Sequence, residues 1–507
     1  MKKLIFSLAA LLSATAMIAQ SNNSNVTQTG DDNIANISQV GATNSSLTTQ
    51  EGKANNAEAI QGTDAFNSTN GIVEQTQTGD KNSAFAHHEE ADNQVYQVQV
   101  GNGNSARATQ NLAFEGGGNV ANQLQEGDRN EATISQEGLT NTAIQVQFGD
   151  GNSGSSSQEG IDNFSELNQE GNFNTASITQ VGQNNLSSQS QIGDANMATA
   201  GQWGNNNSVS QDQEGGGNTA NSVQGSTLFD SRGGRVEQVQ AGDENNAFAN
   251  HEEDNNTILQ SQTGDSNDAS AEQNLGSFGG DNLATQVQEG NSNAATASQN
   301  GSTNISDQSQ SGDENVAATT QSGTNNTAIQ SQTGVGNNAT AVQGGAFFTS
   351  RGGLVDQFQS GNGNEAFARH EEDNNVVVQT QLGDRNNASA TQNLINFGGE
   401  NTTRQLQLGN GNVAEASQEG SSDLNLAGEN NLVSQIQFGD ENRVTSTQNG
   451  ASNTSDILQF GNMNVATDTQ VGTGNNTFVT QIGDMNTSVI LQTGVNNSAT
   501  VTQNGSN

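Results

Sequence analysis

The sequence predicts an all-β solenoid with two parallel-stacked strands per 22-residue rung, about 20 rungs and uncapped ends. Three observations predict it. Inward-type residues alternate over seven-residue segments. Each segment closes on Gln-x-Gly and a short polar turn. The closing positions recur every 11 residues, and a finer alternation doubles that period to 22.

Asn304–Asn325, NISDQSQSGDENVAATTQSGTN, shows the unit. Every second residue gives Asn304, Ser306, Gln308, Gln310 and Gly312, then Asn315, Ala317, Thr319, Gln321 and Gly323. Alternation over that length marks a strand with one committed face. Gly, Asn and Asp supply the corners.

Composition alone points elsewhere. The 507 residues hold no Cys and no Pro, 13 Lys+Arg against 54 Asp+Glu, a formal net charge of −41, and only 29% apolar side chains. Such a chain reads as disordered and acidic unless repetition supplies a core. Absence of Cys excludes a disulfide framework and any Cys-ligated metal. Absence of Pro suits strands paired on both edges, because Pro lacks the ladder donor. No basic stripe exists, so no nucleic-acid partner is expected.

Residues 1–19 read as a separate secretory signal peptide. Lys2 and Lys3 precede the apolar run Leu4–Leu12, and Ala14-Thr15-Ala16 and Ala19 are plausible cleavage points. That run is too short to span a bilayer, and no later stretch could, so membrane insertion is not expected. Residues 20–507 then form a single solenoid.

From Gln28 the register is nearly unbroken: Gln28, Gln39, Gln50 and Gln61 are 11 apart, and the step holds from Gln125 to Gln224, Gln288 to Gln343 and Gln437 to Gln503. Counting substituted positions gives 41 strands. Wherever the step is 11, the residue five places after the closing position is Asn. Two places before it, Gln145, Gln189, Gln211, Gln260, Gln308, Gln330 and Gln379 alternate with Ala200, Ala249, Ala271, Ala297, Ala341 and Ala390. These define first and second strands of a rung, each stacking on its own kind at about 4.8 Å.

Buried alone, an amide would cost about 1–3 kcal/mol. Stacked in register, each can bond the identical amide above and below. The expected ladder runs through Gln77, Gln99, Gln125, Gln147, Gln191, Gln213, Gln240, Gln262, Gln288, Gln310, Gln332, Gln359, Gln381, Gln407 and Gln437, with Asn174, Asn304 and Asn315 as corner members. A one-residue slip would turn every amide outward, so register is tightly specified.

Three cassettes interrupt the pattern, near 61–125, 224–288 and 343–407, and a further insertion spans 419–436. After Gln61, Gln224 and Gln343 the step is 16, inserting TDAFNSTNGI, STLFDSRGGR and GAFFTSRGGL. The next strand ends in His88, His251 or His370 where Gln is expected, followed by two glutamates. Alternation puts such neighbours on opposite faces, so these histidines are weak metal candidates and read better as ladder variants. All insertions follow a second strand, at one edge. They carry Phe66, Phe114, Phe229, Phe278, Phe347, Phe348 and Phe397, while Phe85, Phe248 and Phe367 lie outward on the His-ended strands. Three lateral aromatic clusters are expected, as mini-cores under the loops or as docking patches for a filament or glycan.

Gly-Asp follows first strands at Asp31, Asp80, Asp128, Asp150, Asp194, Asp243, Asp265, Asp313, Asp384, Asp440 and Asp484. Carboxylates one rung apart would repel by about 0.9 kcal/mol per pair in water. The stripe is thus either a solvated solubilising edge or a site for a divalent cation, the one cofactor the sequence suggests. No catalytic constellation stands out from the repeats, so an enzyme is not expected.

Asn174–Gly193, NTASITQVGQNNLSSQSQIG, resembles curlin repeats, whose pattern is Ser-x5-Gln-x-Gly-x-x-Asn-x-Ala-x3-Gln. Gln169-x-Gly171-x-x-Asn174-x-Ala176-x3-Gln180 reproduces its centre, Gln299, Gly301 and Asn304 repeat the turn, and the match covers nearly all of residues 22–507. The resemblance implies a subunit of curli, extracellular amyloid fibres on the surface of Gram-negative bacteria that serve adhesion and biofilm matrix. It implies a homopolymer, a nucleator subunit and an outer-membrane export channel. The chain is longer than a typical curlin subunit, and the cassette loops are additional. The first and last strands, Asn22–Gln28 and Asn497–Gln503, carry no charged or Pro-containing cap, which suits end-to-end growth. The alternatives are a monomeric ice-binding solenoid, and a stalk whose loops bind a glycan as a surface adhesin.

Overall fold

The computed structural model describes residues 21–112, 116–227, 230–275, 279–345, 349–393, 399–420 and 430–505. The chain divides into two compact units, Met1–Ala195 and Asn196–Asn507. Each is a β-solenoid of parallel stacked strands, and no helix occurs among the described residues.

In the first unit the described first strands begin with Asn23–Thr29, Ser45–Glu51, Ile72–Thr78 and Gln94–Val100, paired in parallel and in register. The second strands Ile34–Gln39, Asn56–Gln61, Ser83–His88 and Ser105–Gln110 form a separate sheet in the same way. The second unit repeats the plan, from Met197–Asn205 and Ser208–Glu214 through Thr487–Val495 and Ser498–Asn504. Gln28 and Gln50 are 22 residues apart, whereas Gln50 and Gln77 are 27 apart across an insertion. The inserted residues therefore loop out and leave the stack in register.

Strict alternation produces this burial. In the Asn304–Asn325 unit, Asn304, Ser306, Gln308, Gln310, Asn315, Ala317, Thr319 and Gln321 are all buried. Between the amides lie small or β-branched residues: Ala59, Val73, Ala86, Val95, Ala108 and Ile134 pack together in the first unit, and Ala328, Ala341, Val355, Ala368 and Val377 in the second. Alanine on one face keeps the sheets close enough for a glutamine to cross between them.

The corners differ from expectation in one respect. The glycine of Gln-x-Gly does take positive φ, as at Gly127 (120°), where a Cβ would stand 2.0 Å from the Gly149 carbonyl oxygen. A second left-handed residue precedes the asparagine, and it is of any type: Lys81 (φ 61°), Arg129 (59°), Thr140 (56°), Phe173 (58°) and Met463 (57°). Left-handed backbone disfavours β-branched and bulky residues. It is imposed here by the neighbouring rung, because the Arg129 N–H donates to the Asn102 carbonyl at 2.9 Å and the Thr140 N–H to Gly117 at 2.9 Å.

Candidate functional site: the amide ladders and the histidine corners

The glutamines form the ladders their spacing predicts. In the first unit Gln77 donates Nε2 to Gln99 Oε1 at 2.9 Å, Gln99 to Gln125 at 2.9 Å, Gln125 to Gln147 at 2.8 Å, and Gln169 to Gln191 at 2.9 Å. In the second, Gln213, Gln240, Gln262, Gln288, Gln310, Gln332, Gln359, Gln381, Gln407 and Gln437 continue the same pattern at 2.8–3.1 Å. A second bond was not foreseen. Gln99 Nε2 also donates to the Ser83 carbonyl at 3.0 Å, and Gln310 Nε2 to the Ala294 carbonyl at 3.0 Å. Such an amide ties rung to rung and sheet to sheet, with both of its N–H groups donating.

The asparagine corners form the expected amide-on-amide stack, as where Asn326 Nδ2 donates to Asn304 Oδ1 at 3.1 Å and Asn337 Nδ2 to Asn315 Oδ1 at 3.0 Å, and they add bonds to backbone. Asn174 takes the corner carbonyl of Gly193 with Nδ2 at 2.7 Å, and its own N–H donates to Asn152 Oδ1 at 2.9 Å. Asn304 does the same with Gly323 (3.0 Å) and Asn282 (3.0 Å). Asn315 repeats it with Gly334 (2.9 Å) and Asn293 (3.0 Å), adding an amide–amide bond to Asn293 at 3.1 Å. The short side chain reaches both backbone and its own copy, so the column staples the turn while it links the rungs.

His88, His251 and His370 stand in the glutamine column and are fully buried. Gln61 Nε2 lies 3.2 Å from His88 Nε2, and Ser68 Oγ lies 3.2 Å from His88 Nδ1. Ser68 Oγ in turn donates to Asn44 Oδ1 at 2.9 Å. The amide N–H can only donate, so Nε2 accepts and Nδ1 carries the proton. Burial lowers the pKa of all three to about 3, with His87 adding to the effect at His88. A neutral imidazole cannot pass the ladder on: Oε1 of Gln110, Gln273 and Gln392, one rung further, has no hydrogen-bond partner. The chain therefore tolerates one ladder break in each of the three cassettes, at the same place.

Nothing in this geometry gathers metal ligands. Among the described residues no group of three or more His, Cys, Asp or Glu could hold a metal ion. Two of the three His-Glu-Glu runs depart from the alternation expected of them. Glu89 and Glu371 are buried like the histidines before them. The inserted loop is the cause: Thr63 Oγ1 donates to Glu89 at 2.9 Å, and a Cβ on Gly345 would meet Glu371 Oε1 at 2.3 Å. Arg369 donates to Glu371 at 2.9 Å, and His87 Nε2 lies 3.6 Å from Glu89.

Of the aromatic residues, Phe85, Phe248 and Phe367 are half-buried on the outer face. Phe85 meets Arg107, 4.4 Å from its centroid, and the edge of His87 at 6.4 Å. Phe66 is 44% exposed. Phe114, Phe229, Phe278, Phe347, Phe348 and Phe397 lie outside the described residues.

The Gly-Asp column holds fewer adjacent carboxylates than expected. Insertions shift the numbering, and asparagine alternates with aspartate: the Asn102 N–H donates to Asp128 at 2.8 Å, Asp150 to Asn172 at 3.1 Å, and Asn291 to Asp313 at 2.9 Å. Two aspartates meet directly at Asp128–Asp150 and Asp243–Asp265, each carboxylate accepting a backbone N–H from the rung before. Lys53 sits 3.5 Å from Asp31. The column is a hydrogen-bonded corner ladder as well as a charged edge.

No protein-family model matches the chain, and no curated protein matches its sequence. Among the described residues no helix is long and apolar enough to cross a membrane.

Proposed function

We propose that the chain is the structural subunit of an extracellular curli-like amyloid fibre, growing end to end and supporting cell adhesion and biofilm matrix. One observation carries the reading. Gln28 donates to Gln50 at 2.6 Å and Gln503 accepts from Gln481 at 2.7 Å, and among the described residues these two amides end the column, each with one hydrogen-bonding side turned away from the stack. Asn23–Thr29 is exposed along its whole length. Such an edge templates another strand, and in-register amide ladders give cross-β assemblies their stability. The curlin-like spacing of Gln, Gly and Asn supports the same reading. On it, the chain is exported through the outer membrane of a Gram-negative cell and a minor subunit starts the fibre.

The test is assembly of purified residues 20–507. Unbranched fibres are expected, with a reflection near 4.8 Å along the fibre axis. Val501→Pro removes a ladder donor in the last strand and should slow elongation. Persistence of single particles at high concentration would overturn the proposal.

A further inference from the structure

The second unit carries an outward apolar patch that the solenoid does not need. It lies on five first strands stacked in register: Val376–Leu382, Thr402–Leu408, Leu432–Phe438, Thr454–Phe460 and Asn476–Ile482. On the three middle rungs both outward positions flanking the closing glutamine are apolar, as in Leu406 with Leu408 and Ile436 with Phe438. Phe438 and Phe460 stack face to face at 4.8 Å, 5° from parallel, and present a flat surface. Phe460 is 39% exposed and Ile482 43%. Elsewhere in the unit these positions hold residues such as Ser309 and Ser311.

The order of residues along the stack is informative. The middle outward column reads Thr380, Leu406, Ile436, Leu458, Thr480, the same in both directions. The column before it reads Val378, Arg404, Ser434, Asp456, Phe478, with opposite charges equidistant from Ser434. Neither Arg404 nor Asp456 belongs to any of the ion pairs among the described residues.

We propose that this face docks a second copy of the chain, antiparallel, about a two-fold axis that runs along the strand direction through the Ser434 rung. That axis sets Arg404 against Asp456 of the second copy, Leu406 against Leu458, and Thr380 against Thr480. The shared rung spacing keeps the two faces commensurate. A two-fold along the stack would instead face Arg404 with Leu408 and Asp456 with Phe460, burying both charges unpaired, which is the costly arrangement. Five rungs by three columns cover roughly 500 Å². A stable pair needs about 800 Å² on each partner. A single contact is therefore weak, and it strengthens where many copies are held along neighbouring fibres. The pairing does not depend on end-to-end growth.

Disulfide trapping on the mature chain reads weak contacts, and the sequence has no cysteine of its own. Ser434→Cys sits on the axis and faces its own copy. It should form covalent dimers about tenfold faster than Ser309→Cys, an outward control on the same sheet. Arg404→Asp should return the rate to the control level, and adding Asp456→Arg should restore it. Trapping no faster than at Ser309, or trapping that ignores both charge reversals, overturns the antiparallel pairing. So does a fast Ser434→Cys whose rate the double reversal fails to recover.

Discussion

Gly71 and His88 share one volume. A Cβ on Gly71 would stand 2.1 Å from His88 Cε1, and the same close approach recurs at Gly234 with His251 (2.2 Å) and Gly353 with His370 (2.1 Å). The Gly71 N–H donates to Asn44 Oδ1 at 2.9 Å, as a corner asparagine's would. Glycine has therefore replaced asparagine in one column where histidine has replaced glutamine in the other.

That exchange predicts coupling. Gly71→Asn overpacks the corner beside His88, and His88→Gln leaves a gap beside Gly71. Each should cost about 1–3 kcal/mol. The double variant Gly71→Asn with His88→Gln restores the regular rung, so its cost should fall below the sum of the single costs by about 1 kcal/mol or more. Amide exchange across strands Ile72–Thr78 and Ser83–His88 measures it. Strict additivity would refute the shared volume.

The same histidines set a pH dependence. Each is neutral when folded, with a pKa of about 3, and titrates near 6.5 when exposed. Between those values the unfolded chain binds more protons. Stability is thus fully present above pH 6.5 and drains as pH falls toward 3. At pH 5 the loss is about 2 kcal/mol per histidine. Exchange protection around His88, His251 and His370 should drop between pH 7.5 and pH 5, and a His→Gln variant should lose that slope at its own rung. Equal slopes in parent and variant would exclude the imidazole as the cause.

The repeat was legible because its signal is periodic: one inward amide column, one outward polar column, one asparagine corner. His88 was legible as a ladder member since it falls where glutamine is due. Its partner was not. Gly71 lies 27 residues from Asn44, and the inserted loop hides that they share a column. The burial of Glu89 was missed for the same reason, because alternation stops being a guide where a loop folds back over a corner. The left-handed residues at Arg129 and Thr140 left no trace in residue type, since neighbouring rungs dictate their backbone. The alternation of Asp with Asn in the turn column appears only once insertions are subtracted.

Asp468 is the one carboxylate placed in the alanine column of the second unit. It stacks between Ser446 and Ile490 and is fully buried. Thr477 Oγ1 donates to it at 3.0 Å. Burial raises its pKa, and the hydroxyls of Ser455 and Thr477 oppose that only in part. The sign is opposite to the histidines. Its contribution is intact below the exposed value of 3.8 and is lost as pH climbs through the raised folded value. At neutral pH the group weakens its rung, so Asp468→Ala, which restores the residue type of the column, should stabilise the strands Val465–Thr473 and Thr487–Val495 by about 1–3 kcal/mol at pH 7. The gain should shrink toward zero as pH approaches 3, where the parent carboxyl is neutral in both states. A variant that gains nothing at pH 7 would mean that the hydroxyl pair already compensates the buried charge, and an equal gain at pH 3 would mean that the cost lies in burying the polar group and not in its ionisation.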